Sequence, residues 1–111
     1  MSLNKLIIDT LKPIGVPVAF QTYSGTATTY ITFFEYNQFG ALHADDEEQE
    51  TALFYQVDVW SKGDYISIVD QVKQQMKQAG FRRTTETDLF EPDTKIYHKV
   101  LRFSYVEERE E

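Results

Sequence analysis

The chain has no cysteine, which excludes disulfides, thiolate metal sites and thiol nucleophiles together and favours an intracellular life. It has two histidines, three prolines and five glycines in 111 residues. His43 and His98 lie far apart, with no nucleophile placed beside either by sequence, so no acid–base motif forms. Ser24-Gly25-Thr26 and Gly63 stand alone and match neither dinucleotide nor P-loop spacing. The opening MSLNKLIIDTLKPIG is too short an apolar run to span a bilayer and carries no signal-peptide cleavage pattern, so the expectation is a soluble, cytosolic protein without membrane contact. Positive charge is also scarce. There are 18 acids against 11 bases, for a net charge of −7, the opposite of the basic stripe of a general polyanion binder.

What is present is apolar matter enough to fold. Hydrophobic residues make up 41% and aromatics 14%, which argues against general disorder. The length predicts a single α+β domain over residues 1–106 with an acidic polar tail at 107–111, and a radius of gyration of roughly 13 Å. The charge is uneven. Asp45, Asp46, Glu47, Glu48 and Glu50 form one acidic segment, and Glu107, Glu108, Glu110 and Glu111 another; with both set aside, nine acids face ten bases. The body is therefore nearly neutral.

The clearest pattern is TALFYQVDVWSKGDYISIVDQVKQQMKQA, from Thr51 to Ala79. Leu53, Tyr55, Val57 and Val59 alternate with Gln56 and Asp58, the period of a half-buried strand. Ser61 or Asp64 can cap the next helix, in which Tyr65, Ile68, Val69, Val72, Met76 and Ala79 form one apolar stripe. Gly80 sits where a helix turns left-handed to stop. Before this unit, Leu3, Leu6, Ile7 and Leu11 predict a first helix, capped by Ser2 and ended by Pro13. Val18 to Tyr23 predicts a strand, and Thr28 to Tyr36 a second, apolar on both faces. Residues 37–50, NQFGALHADDEEQE, lack periodicity and predict a long, mobile acidic loop between antiparallel strands. After Gly80 a strand to Leu89, a turn at Glu91-Pro92-Asp93-Thr94 and a last strand from Lys95 to Val106 complete the chain. The order is α-β-β-β-α-β-β: a mainly antiparallel sheet with two helices packed on one face.

No catalytic signature appears, and no cofactor or metal is expected. His43 beside Asp45 and Asp46 lacks ligands from elsewhere, and the acidic run lacks EF-hand spacing. Lys73, Lys77, Arg82 and Arg83 cluster near the end of the second helix, where the macrodipole favours cations. Tyr97, Lys99, Arg102 and Phe103 interleave rings and charge on the last strand but lack the glycine of the RNA-recognition signature. The chain does have more aromatic residues than one small sheet face needs. Phe34, Tyr36, Phe39 and Trp60 are the candidates for subunit contacts.

The run Tyr55-Gln56-Val57-Asp58-Val59-Trp60-Ser61-Lys62, the helix to Gly80 and the closing strand with His98-Lys99-Val100-Leu101-Arg102-Phe103 resemble the small tail-completion proteins (tail terminators, or head–tail joining proteins) of long-tailed phages and prophages. The resemblance runs from about Leu3 to Val106. It implies a non-enzymatic virion protein at the tail–head junction, assembled in the bacterial cytoplasm as a ring, usually a hexamer. It would cap the tail tube protein and meet the head connector protein, with DNA passing through unbound. On that reading Asp45, Asp46, Glu47 and Glu48 are lumen or docking residues, where like charge keeps DNA from adhering. The alternative is a small cytosolic module that grips a peptide or protein along a sheet edge. An enzyme subunit using the His43 and Asp45/Asp46 cluster is the third reading.

Overall fold

Leu3, Leu6, Ile7 and Leu11 recur at helical spacing, and Leu3–Leu11 forms the first helix, α1, with Ile7 and Leu11 fully buried. In the computed structural model the described residues are 3–44 and 47–108, with the backbone alone described for 38–44, 47–50 and 108. Ser2, the expected cap of α1, lies outside them. Lys12 cannot continue the helix into Pro13, so Lys12–Ile14 tightens into a 3-10 turn that Gly15 closes at φ +91°.

Five strands follow: β1 (Val18–Phe20), β2 (Thr29–Ala44), β3 (Glu47–Ser61), β4 (Arg82–Glu91) and β5 (Ile96–Glu108), with the second helix α2 (Ile66–Gln78) between β3 and β4. They form one sheet in the order β1-β2-β3-β5-β4. Only the β1–β2 pairing is parallel; the rest are antiparallel. The predicted element order is the observed one.

Apolar alternation decides which face the helices cover. Ile31 and Phe33 of β2, Tyr55, Val57 and Val59 of β3, and Leu101 and Phe103 of β5 meet Ile7, Leu11, Val69, Val72 and Met76 in one buried cluster. At roughly 25 cal/mol per Å² of apolar surface removed from water, this face is the main favourable term in folding. The end of α2 is built by a Schellman motif. Gly80 at φ +97° donates to the Lys77 carbonyl (3.1 Å), and Phe81 donates to the Met76 carbonyl (3.0 Å). Its start uses Asp64, whose Oδ1 accepts the Ile66 N–H at 3.0 Å, while Ser61 accepts from Gly63.

The acidic connection is, in backbone terms, an extension of β2 and β3. Pairing continues from Asn37↔Phe54 to Ala44↔Glu47, with register shifts at Glu35/Asn37, Gly40/Leu42 and Leu42/His43. Each shift absorbs a residue, so the ladder survives although side-chain alternation is lost. Asp45 and Asp46 lie outside the described residues. β5 likewise pairs with β3 as far as Glu50↔Glu108, whereas β4 begins opposite Ser104. The sheet thus narrows to a three-stranded ribbon beyond that point. The molecule measures 53 × 24 × 24 Å with a radius of gyration of 15.4 Å. That exceeds the value expected of a globule of this length, because the ribbon runs on past the start of β4.

Candidate functional site

Side chains alternate across a strand, so the pattern that sends Val57 and Val59 to the helices sends Gln56, Asp58 and Trp60 to the other face, which no helix among the described residues covers. Register then sets the rows. Trp60 lies between Tyr30 and His98, Asp58 between Thr32 and Val100, and Gln56 between Phe34 and Arg102.

The first row is a stack of rings. Tyr23 and Tyr30 are 4.4 Å apart between centroids, Tyr30 and Trp60 6.0 Å, and Trp60 and His98 3.6 Å with planes within 14° of parallel. The Trp60 indole N–H donates to Thr32 Oγ1 at 3.0 Å. In the second row Asp58 is only 3% exposed. A buried carboxylate needs partners, and its Oδ1 has two: His98 Nε2 at 2.8 Å and the Gln56 amide at 2.9 Å. Gln56 Oε1 in turn accepts from Arg102 Nε at 3.2 Å, and the Arg102 guanidinium lies 4.5 Å from the Tyr36 ring centre. One continuous network therefore crosses β2, β3 and β5. Beside it, between β3, β4 and β5, Gln56, Leu89, His98 and Arg102 help line a shallow hollow of about 480 Å³.

Among the described residues this face presents rings and a buried polar network. Asp58 bonds to His98 and to Gln56, and among the described residues neither Asp58 nor His98 bonds to a hydroxyl that could attack. No three His, Asp or Glu side chains gather into a metal site among the described residues.

On the helix side, α2 and β4 enclose a second feature, an open cleft of about 570 Å³. Lys73, Lys77, Arg82 and Arg83 rim it, Asp70 stands at one end, and Phe81 and Phe103 form its floor. Beside it Glu86 joins Lys73 (3.0 Å), Arg83 (2.7 Å) and Lys99 (3.6 Å). Burial alone would raise the Glu86 carboxyl, but the bonds from Lys73 and Arg83 and the charges of Lys73 and Lys99 outweigh it and hold the group below its ordinary value. Lys99 shows the mirror case. Burial works to lower its ammonium, yet the bond to Asp88 and the charges of Asp88 and Glu86 raise it. Tyr55 is pushed up to about 12, first by burial and then by Glu35, the acceptor of its hydroxyl at 3.4 Å.

The expected contact residues divide. Phe34, Tyr36 and Trp60 are half-buried on or beside the uncovered face, brought together by β2 and β3. Tyr36 is the extra residue at the Glu35/Asn37 shift, and its ring lies 6.0 Å from that of Phe54. Phe39 pairs with Ala52 in the ribbon, and its side chain is not among those described. Glu47 and Glu48 open β3 opposite Ala44 and His43; Asp45 and Asp46 lie outside the described residues. Sequence reasoning missed Asp58 and underread His98. A lone Asp alternating with Gln and Trp reads as solvent-facing. The available signal was a second polar residue, His98, at a matching position of another aromatic strand.

Among the described residues no helix is long and apolar enough to cross a membrane. No protein-family model matches the chain, and no curated protein matches it. A solved structure does. The chain is similar in fold to a chain of the "Virion of native gene transfer agent (GTA) particle", with a TM-score of 0.58 and 12% identity over 94% of this chain and 85% of that one. At that identity the likeness is one of fold, and it spans nearly all of both chains.

Proposed function

We propose that this chain is a non-enzymatic structural protein of a phage-type virion, completing the tail and joining it to the head connector as a ring, a hexamer when assembled. The observation that carries the reading is the fold likeness, over nearly the whole chain, to a chain of a gene transfer agent virion. The uncovered sheet face supports it. A row of rings from Tyr23 to His98, with Phe34 and Tyr36 further along β2, is the kind of surface that neighbouring subunits bury, with Phe34, Tyr36, Phe39 and Trp60 as the contact residues. Asp45, Asp46, Glu47 and Glu48 then lie at the lumen or at a docking surface, and DNA passes without specific binding. The tail tube protein and the connector are the partners.

The test is electron microscopy of induced particles from a strain lacking this gene. Over-long tails, or heads and tails lying separate, are expected. Normal joined particles would remove the reading. A second reading, strand addition of a peptide, is favoured by one feature: β4 ends the sheet and offers the outer edge of ten residues, Arg82–Glu91.

A further inference from the structure

We infer that the cleft between α2 and β4 is the docking site for the acidic stretch, residues 45–50, of a second copy of this chain; the inference rests on the ring reading and names one contact within it. The cleft is built for carboxylates. Four cations rim it against one acid, Asp70. Two of the four, Lys73 and Arg83, are held by Glu86, but Lys77 and Arg82 have no ion-pair partner among the described residues. The helix dipole accounts for Lys77, in the last turn of α2. It does not account for Arg82 and Arg83, which come from the strand wall.

The complementary charge is in the same sequence. Residues 45–50 hold five carboxylates in six positions, and outside that stretch and the tail the chain is close to neutral. A copy cannot satisfy its own cleft. Arg82 is level with Ser104 and so with Phe54, and Glu47 lies seven residues further along β3. At about 3.3 Å per residue that is about 23 Å, spanned by a paired ribbon that cannot fold back. The contact must therefore form between copies. Acid on one end and cleft on the other make it heterologous, the head-to-tail geometry that closes into a ring when the rotation permits.

The absence of cysteine makes the test clean. Full-length Glu47→Cys and Lys77→Cys proteins, each checked for native circular dichroism, are mixed and oxidised. The control pairs Glu47→Cys with Lys5→Cys, on the exposed side of α1. The cleft pair is expected to cross-link about tenfold faster than the control at low salt, an excess that high salt abolishes. Adding Arg82→Glu should remove the excess, and adding Glu48→Arg on the other partner should restore it. Equal rates for cleft and control pairs would overturn the inference, as would an excess indifferent to Arg82→Glu. The two ideas fail separately. A cleft cross-link with normal particles in the deletion strain removes the tail reading alone, and a tail defect without the cross-link removes this contact alone.

Discussion

Trp60 is where stability and assembly can be told apart. Its indole N–H donates to Thr32, which is 5% exposed, so water cannot easily replace the donor. Trp60→Phe keeps a ring in the stack but drops that bond. A lost hydrogen bond costs about 1 kcal/mol, and the hydroxyl left unpaired raises the total to about 1–2 kcal/mol. Trp60→Ala also removes the contacts with His98 at 3.6 Å and Tyr30 at 6.0 Å. Each of the two aromatic pairs contributes about 0.5–1.5 kcal/mol, which brings the cost to about 2–5 kcal/mol, overlapping the range for large-to-small changes. Urea unfolding followed by far-UV circular dichroism reads both variants without needing the tryptophan signal. A Trp60→Ala protein destabilised by less than about 1 kcal/mol would refute the reasoning that the ring stack and the Thr32 bond stabilise the fold. Trp60→Phe then serves assembly. It should fold normally and, if the face is a subunit contact, associate more weakly than the native protein.

Two further outcomes follow from the charges. Because the Glu86 carboxyl is depressed in the folded protein, its contribution is present above its unfolded value and lost as pH falls through the lower folded one. Glu86→Gln should therefore be less stable than the native chain at neutral pH, with the gap closing in acid; equal gaps in urea midpoints at neutral and acid pH would refute the network. Tyr55 binds its proton more tightly when folded, so its contribution is intact below the ordinary value of 10.0 and lost as pH rises through about 12. An alkaline absorbance titration should show a step at about 12 that Tyr55→Phe lacks, beside Tyr30 and Tyr65, whose hydroxyls are also raised; if the step at about 12 persists undiminished in that variant, the assignment fails.

Much of this fold was local enough to read. The α2 stripe ends at Gly80 because a left-handed residue is needed there, and the alternation of Leu53 to Val59 names the core face of β3 without reference to any other strand. The candidate site was less legible. Phe34, Tyr36 and Trp60 stand out by their type, but which strands bring them together does not. The acidic connection carries no side-chain period, so the backbone pairing that β2 and β3 continue along it, through bonds any residue but proline can make, was not legible in the sequence.

By itself the sequence determined the two amphipathic helices, the element order and the uneven charge, since each depends on neighbours a few residues apart. Only the tertiary structure decided that β1 runs parallel to β2, that β5 inserts between β3 and β4, and that Asp58 is buried against His98. The physical reason is register. Strand pairing brings side chains forty positions apart within bonding reach, as with Asp58 and His98 on neighbouring strands, and no local propensity encodes which distant strand a residue will face.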